Sequence, residues 1–282
     1  MKKLMKVSSI RKASPTSDGD GVKINRIRAF DWPELSPFLM IDELKSDDQK
    51  DYVGGFPAHP HRGIETLSYM KKGHFQHQDQ MGNITEIMSG DAQWMAAGRG
   101  VLHSEMPISE QGQLHSFQIW INQPAALKMT PAQYLNIRSS DIRKKVLSNT
   151  SQLNVISGSL AVEQDKISGP LKKTGVPIVF ADWMASKSSE VEIEINSDCA
   201  SQIFVYNGSV DIQGVIVSSG NLAILTRDTI LKMKALPDCG VLILSGTPID
   251  EPIVHYGPFV MNTHQQIKQA VQDYKNGVFQ TY

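Results

Sequence analysis

The sequence predicts an all-β protein with two antiparallel β domains and one C-terminal helix. Three observations support this prediction: alternating apolar and polar residues, closely spaced turn signals, and a length of 282 residues. Turn signals roughly 8–12 residues apart, without helical patterns between them, are typical of antiparallel sandwiches or barrels. The length is about twice the common domain size of 100–150 residues, which favours two domains.

Several segments show the alternation expected of half-buried strands. Residues 191–195 (VEIEI) and 231–235 (LKMKA) carry apolar side chains at every second position. Successive side chains on a strand point to opposite faces, so each segment would bury one face. A further strand ending at Tyr206 runs into Asn207-Gly208, a dipeptide that favours a tight hairpin.

A polar, weakly patterned segment at residues 138–150 predicts the boundary between the domains. We therefore expect an N-terminal domain over residues 1–140 and a C-terminal domain over residues 141–282. The two parts are nearly equal in length and both show the strand-and-turn pattern. This suggests two copies of one architecture, although no residue-level repeat is visible.

The C-terminal helix is predicted from its ends and its apolar stripe. Thr263 is suited to cap the first turn together with Gln266, three residues later, and Asn276-Gly277 is a helix stop. Apolar residues recur between them at helical spacing. They are Ile267, Ala270, Val271 and Tyr274.

Composition and charge argue against several classes of function. The chain has 28 basic and 29 acidic residues, a net charge of −1, and no apolar run long enough to span a membrane. Neither nucleic acid nor an anionic membrane is therefore an expected partner. Two cysteines, Cys199 and Cys239, cannot build a disulfide framework. With no secretion signal recognisable after the N-terminal lysines, we expect a cytoplasmic protein.

Candidate metal ligands are concentrated in the first half of the chain. Six of the eight histidines lie between residues 59 and 115, and two motifs stand out among them, His59-Pro60-His61 and His103-Ser104-Glu105. Residues i and i+2 of a strand share a face, so each motif would direct two ligands to one side of a sheet. Neighbouring strands of this kind inside a barrel would bring three imidazoles and one carboxylate together. Either motif alone is more often a polar pair at a strand end, and the two motifs together favour a metal site.

Imidazole and carboxylate together suit one divalent ion of Fe, Mn, Co, Ni, Cu or Zn. Four protein ligands leave two positions of a six-coordinate ion open, as a catalytic centre requires. Gly98 and Gly100, just before His103, would allow a tight turn with positive φ. Five large apolar residues are expected to line a pocket beside the metal, or else to form an ordinary β core: Phe56, Trp94, Met95, Phe117 and Trp120.

The remaining histidines have simpler interpretations. His74 and His77 lie next to a predicted turn at Gly82-Asn83, and we interpret them as hairpin or surface residues rather than ligands. His115 alternates with Phe117, which predicts a hydrogen-bonded interior histidine.

Arginines flank both metal motifs. Arg62 and Arg99 could bind a carboxylate or an anionic substrate, but we favour a structural role in which they pair with Glu65 or Asp91.

Two long segments resemble the signature sequences of the pirin family. They are residues 56–66 (FPAHPHRGIET) and 93–107 (QWMAAGRGVLHSEMP). Residues 37–40 (PFLM) and 257–263 (GPFVMNT) resemble that family too, so the similarity spans almost the whole chain.

This resemblance implies a two-domain protein of the cupin superfamily, built from two antiparallel β-barrels. It further implies one metal ion, usually iron, held in the N-terminal barrel by His59, His61, His103 and Glu105. The C-terminal barrel would be free of metal. Cupins often use a glutamate four residues after the His-x-His motif, and Glu65 has that spacing. In pirins the ligand matches Glu105 instead, so Glu65 is expected to support the site or the fold.

Bacterial pirins resemble quercetinases, which open a flavonol with O₂ and release carbon monoxide. The resemblance implies a metal-dependent dioxygenase acting on a flavonol-like substrate, with Glu105 as both ligand and general base. The alternative is an iron-binding, redox-sensing regulatory protein that modulates partner proteins, as eukaryotic pirins do. A deep pocket reaching the metal would favour the enzyme, and a large exposed patch beside it would favour the regulator.

Overall fold

A computed structural model describes residues 3–108, 112–148 and 150–280 of the chain. Within these residues the chain forms 26 β-strands and one α-helix, and every pairing between the named strands is antiparallel. The predicted all-β class is confirmed. No helix in the part of the chain so described is long and apolar enough to cross a membrane.

The elements follow one another with short connections. The first twelve strands are β1 (Val7–Lys12), β2 (Ser14–Asp18), β3 (Val22–Arg28), β4 (Phe38–Ser46), β5 (Phe56–His61), β6 (Ile64–Lys72), β7 (His74–Asp79), β8 (Ile84–Met88), β9 (Ala92–Ala96), β10 (Val101–Pro107), β11 (Leu114–Asn122) and β12 (Gln133–Ile137). The next twelve are β13 (Arg143–Ser148), β14 (Ser151–Ser157), β15 (Ser159–Val162), β16 (Asp165–Ser168), β17 (Ile178–Ala185), β18 (Glu190–Glu194), β19 (Ala200–Asn207), β20 (Ser209–Ile212), β21 (Val215–Ser218), β22 (Asn221–Leu225), β23 (Ile230–Ala235) and β24 (Cys239–Gly246). The chain then forms β25 (Val254–Tyr256), β26 (Phe259–Met261) and α1 (His264–Lys275). Short 3₁₀ turns lie at Pro33–Leu35, Gln49–Asp51, Ala125–Leu127 and Val278–Gln280.

The chain divides into two compact units, and each unit combines segments that are distant in sequence. Unit N consists of Pro15–Phe30, Phe38–Ser139 and Ile249–Tyr282. Unit C consists of Met1–Ser14, Asp31–Pro37 and Ser140–Pro248.

The two ends of the chain differ from the predicted division at residues 140 and 141. β1 lies in unit C, because it pairs with β22 and because Met5, just before it, is fully buried in the core of that unit. The helix α1 lies in unit N, where its apolar residues Ile267 and Ala270 pack with Phe259.

Each unit contains two main sheets. In unit N the strand orders are β12-β9-β6-β11-β4-β3-β2 and β5-β10-β7-β8, and β25 pairs with β26. In unit C they are β1-β22-β19-β24-β17-β14-β13 and β16-β15-β18-β23-β20-β21. The core of unit C takes apolar side chains from both of its sheets, such as Ile203 of β19 and Ile193 of β18. Each unit therefore has the layered architecture of antiparallel β domains.

Local sequence signals explain several of these elements. β18 alternates strictly between exposed and buried residues, as its sequence predicts. Gly208 has a φ of +66° between β19 and β20, which confirms the turn at Asn207-Gly208. At the start of α1, Thr263 and Gln266 form a complete capping box, and Asn276 is the C-cap. The predicted helix is thus confirmed at both ends.

The four-stranded sheet of unit N positions the candidate site. β10 is its second strand, between β5 and β7, so residues from three strands meet across it. His103 is directly opposite His59 on β5 and Asp79 on β7. The turn that leads into β10 needs glycine, because Gly98 has a φ of +50° and a Cβ there would collide with the carbonyl oxygen of Thr130.

Candidate metal centre

Three histidines from two adjacent strands form a cluster in unit N. His59 and His61 are two residues apart on β5, and His103 lies on β10. Their candidate ligand nitrogens all lie within 4.8 Å of one another. The rings of His59 and His103 have centroids 4.4 Å apart, and those of His61 and His103 are 5.0 Å apart. The side chains thus converge as the i, i+2 spacing predicts.

Some ring nitrogens of these histidines have no hydrogen-bond partner in the part of the chain that the structure describes. Nδ1 of His61 and Nε2 of His103 are buried and have no hydrogen-bond partner among the described residues. Nδ1 of His59 donates to the carbonyl oxygen of Pro57 at 2.8 Å, so a neutral ring carries its lone pair on Nε2. A buried polar atom without a partner is costly unless something else binds it. The donor set therefore fits a divalent metal ion, for which imidazole is a suitable ligand.

The electrostatics of the cluster favour neutral imidazoles. Burial lowers the pKa of His61 well below its usual range, and the nearby His59 lowers it further. Burial likewise lowers the pKa of His103 well below normal, with additional contributions from His61, His59 and His77. Metal ligation requires the neutral ring, so the folded protein holds these two histidines in the form that can bind an ion.

Glu105 lies on β10, two residues beyond His103, and is buried at 4% exposure. Ser68 donates to its Oε1 at 3.1 Å, and Gln118 donates to its Oε2 at 2.9 Å. Ser68 and Gln118 are a cross-strand pair of β6 and β11 in the opposite sheet. The group of ligand atoms that lie within 4.8 Å of one another consists of the three histidines and does not include Glu105. Because Ser68 and Gln118 bond to it from the opposite sheet, the carboxylate lies between the two sheets of unit N, beside the histidines.

His77 also belongs to this site, although the sequence analysis did not place it there. It is only 1% exposed, and its Nε2 lies 2.9 Å from Nδ1 of His103. The interpretation as a surface histidine is wrong because β7 pairs with β10, and the buried face of β7 carries Phe75, His77 and Asp79. The period-2 placement of these three residues in the sequence was the signal available. His74, on the same strand, is partly exposed and lies 3.3 Å from Glu86.

Two other predicted residues have structural partners. His115 is buried, and its Nε2 lies 2.9 Å from Oε1 of Glu43, which confirms an interior hydrogen-bonded histidine. Glu65 is buried and accepts a hydrogen bond from Nε1 of Trp94 at 2.8 Å.

The predicted partners of Arg62 are wrong. Arg62 donates to the carbonyl oxygen of Arg99 and forms an ion pair with Asp273 at 2.7 Å. Asp91 instead pairs with Arg138 at 2.9 Å. The structural role expected for Arg62 stands, because only 1% of its side chain is exposed.

A cavity of about 560 Å³ opens beside the cluster within unit N. His59, His61 and Glu105 are part of its wall, together with Ser68 and Gln118. Three of the apolar residues predicted for a pocket line it: Phe56, Phe117 and Trp120. The other two are not part of that wall, since Trp94 bonds to Glu65 and Met95 belongs to a separate apolar core.

One region of the cavity wall carries paired charges. Nε and Nη2 of Arg26 each donate to a carboxylate oxygen of Asp42 at 2.7 Å. Asp18 also pairs with Arg26. Both carboxylates thus share one cationic partner, Arg26, so this part of the wall is polar.

Fold and site together define the class of protein. Two antiparallel β units, one with a buried group of imidazoles beside a cavity, are typical of the cupin superfamily. The chain belongs to the pirin family: the family model described as pirin matches residues 21–121, and that of the pirin C-terminal cupin domain matches residues 180–280.

Known proteins similar to the chain agree with this family. A Vibrio cholerae protein provisionally named quercetin 2,3-dioxygenase is 55% identical over 270 residues, covering 96% of both chains. Human pirin is 34% identical over 268 residues, covering 92% of this chain and 89% of its own. A crystal structure titled quercetin 2,3-dioxygenase from Acinetobacter baumannii has 31% identity and a TM-score of 0.90, covering 98% of this chain and 99% of its own.

Proposed function

We propose that the chain is a metal-dependent dioxygenase of the quercetin 2,3-dioxygenase type, which opens a flavonol-like substrate with O₂. The observation that carries this proposal is the cavity of about 560 Å³ whose wall includes His59, His61 and Glu105. Its volume lies within the range of roughly 300–1,000 Å³ that small-molecule sites occupy. Names of relatives that refer to quercetin 2,3-dioxygenase support the same substrate class.

The proposed metal ligands are His59, His61, His103 and Glu105, holding one divalent ion with Fe(II) as the first candidate. Two buried ring nitrogens, on His61 and His103, support this ligand set, because neither has a hydrogen-bond partner within residues 3–108, 112–148 and 150–280. When bound, such an ion would supply Lewis acidity and reactivity with O₂. Mn, Co, Ni, Cu and Zn suit the same donors and belong in the test.

Glu105 is proposed as the general base. Its carboxylate lines the cavity, and hydrogen bonds from Ser68 and Gln118 fix both of its oxygens in position. It would take the proton of the acidic hydroxyl of the substrate, leaving an electron-rich substrate anion for reaction with O₂. Apolar walls at Phe56, Phe117 and Trp120 would bind the flat rings and exclude water.

Oxygen uptake with quercetin tests this function directly. The protein is freed of metal and reconstituted separately with Fe(II), Mn(II), Co(II), Ni(II), Cu(II) and Zn(II). We expect uptake of O₂ with release of carbon monoxide for at least one metal, and loss of both in the Glu105→Ala variant and in metal-free protein. Stoichiometric metal binding without turnover would contradict the quercetinase function and favour the iron-binding, redox-sensing regulatory protein.

We also propose that the protein works in the cytoplasm. Cys199 and Cys239 are free thiols, a state that the reducing cytoplasm maintains.

A further inference from the structure

We propose that His77 is a positioning residue: its Nε2 accepts a hydrogen bond from Nδ1–H of His103 and so directs the Nε2 lone pair of His103 into the metal centre. This inference rests on the proposed function only in taking His103 as a ligand. The hydrogen bond between His77 and His103, and its direction, are inferred for the metal-free protein as well.

The contact between the two rings is short and sealed from solvent. Nε2 of His77 lies 2.9 Å from Nδ1 of His103, and the ring planes are tilted by 59°. His77 is 1% exposed and His103 is 2% exposed. β7 and β10 pair in register around both residues, with His77 opposite Glu105 and His103 opposite Asp79. The pairing of β7 with β10 therefore holds the two rings side by side.

The direction of this hydrogen bond follows from the other nitrogen of His103. One of the two facing nitrogens must donate and the other must accept. If His77 donated, a neutral His103 would carry its proton on Nε2, which is buried and has no acceptor among the described residues. If His103 donates through Nδ1, its Nε2 carries a lone pair, and that lone pair is what a metal ion requires. The second arrangement leaves no buried N–H of His103 unpaired.

Each of the three clustered histidines then has its own orienting partner. His59 bonds to the carbonyl of Pro57, and His61 bonds to the backbone of Pro258. Metal-binding histidines generally donate their second ring N–H to an acceptor of this kind, and loss of such a partner weakens metal binding. For His103 the partner is a side chain, so it can be changed by mutation without altering the backbone.

Three variants separate positioning from simple packing. His77→Leu removes the acceptor and keeps an apolar side chain in the buried position. His77→Gln keeps an oxygen acceptor, Oε1, at about the reach of Nε2. His74→Leu is the matched control, because His74 lies on the same strand but pairs with Glu86 outside the cluster.

The first measurement is Co(II) affinity of the metal-free proteins, by competition with a chromophoric chelator. We expect His77→Leu to bind Co(II) about 10–100-fold more weakly than the wild type. His77→Gln should restore most of that loss, and His74→Leu should bind as the wild type does. Wild-type affinity in His77→Leu, or equal weakening in His77→Gln and His77→Leu, would overturn the positioning role.

The second measurement reads the hydrogen bond itself. Ring ¹⁵N chemical shifts in the metal-free wild-type protein should show His103 protonated at Nδ1 and His77 unprotonated at Nε2. The opposite pattern would overturn the inference, even if a variant fails to fold. Failure of the wild type to bind Co(II) would instead contradict the proposed metal centre. The ring ¹⁵N shifts would still show which of the two histidines donates the hydrogen bond.

Discussion

Nη1 of Arg62 and Oδ2 of Asp273 lie 2.7 Å apart, although 211 residues separate them in the sequence. Arg62 directly follows the clustered His61, and Asp273 lies on α1. The same guanidinium donates to the carbonyl of Arg99, in the turn before β10, and lies 4.5 Å from the ring centroid of Phe279. The C-terminal segment thus ties together the ends of both strands that carry the histidines.

Asp273→Asn should destabilise unit N, because it leaves the buried Arg62 guanidinium without its counter-charge. Removing one partner of a buried pair costs roughly 3–5 kcal/mol, and the 18% exposure of Asp273 reduces the expected loss to about 2–3 kcal/mol. Urea unfolding followed by circular dichroism measures the difference. Lys23→Gln, which breaks the exposed pair with Asp51, should leave stability unchanged. Equal stability of Asp273→Asn and the wild type would contradict the role of this ion pair.

Lys128 is a second buried link to the segment that follows His61. Its Nζ donates to the carbonyl of Gly63 at 2.8 Å, to Oδ1 of Asn122 at 2.7 Å and to the carbonyl of Val260 at 3.0 Å. Lys128→Met keeps the length of the side chain but removes all three of these buried hydrogen bonds.

Each lost partner of a buried polar group costs about 1–3 kcal/mol, so Lys128→Met should lower the free energy of unfolding by about 3 kcal/mol or more. Urea unfolding measures this as well, with Lys45→Met as the control at an exposed lysine. The importance of Lys128 is refuted if the two methionine variants are equally stable.

The metal-free protein should lose stability in mild acid. Burial lowers the pKa of both His61 and His103 well below normal, whereas in the unfolded chain each titrates near pH 6.5. Between that pH and the lower pKa of the folded state, the unfolded chain binds more protons. The free energy of unfolding therefore falls as pH decreases through this window, by up to about 1.4 kcal/mol per pH unit for each histidine.

Urea unfolding in the presence of a chelator measures this slope. The pH is varied from about one unit above to about 1.5 units below the normal histidine pKa. The double variant His61→Asn, His103→Asn should show a smaller dependence on pH. Identical slopes for the double variant and the wild type would show that these residues are not the source.

Glu105→Gln should separate proton transfer from folding. Glutamine has nearly the shape of glutamate but cannot take up a proton as a base, so turnover of a flavonol should fall by about 10²–10⁴-fold. Glu86→Gln, at an exposed position on β8, is the control. Oxygen consumption is compared at matched metal content. Wild-type turnover in Glu105→Gln would exclude Glu105 as the base.

Much of the site could be predicted from local sequence, because strand periodicity and helix capping each depend on only a few neighbouring residues. The i, i+2 spacing is enough to put His59 and His61 on one face, and the capping box at Thr263 marks the start of α1. His77 and the Arg62–Asp273 pair were not predictable in this way. Their contacts depend on which strand pairs with β10 and on where the C-terminal segment returns. The alternation of Phe75, His77 and Asp79 indicates a shared face of β7, but neither contact itself has a signal within a short window of sequence.

The division into units N and C could not be predicted from local sequence either, because it depends on long-range contacts. β1 has an alternating pattern of burial, but nothing in that pattern identifies β22 as its partner. Val7 pairs with Leu225, far along the chain, and the same pattern would fit a partner at any other distance. Long-range strand pairing decides where each end of this chain lies.

The proposed metal centre holds one divalent ion at the histidine cluster, with Glu105 as the fourth ligand. The most direct test is anomalous diffraction from crystals of the Co(II)-loaded protein, recorded above and below the cobalt absorption edge. We predict one strong anomalous peak per chain, bonded to His59, His61, His103 and Glu105. A cluster without a peak, or a peak bonded to other residues, would contradict the claim.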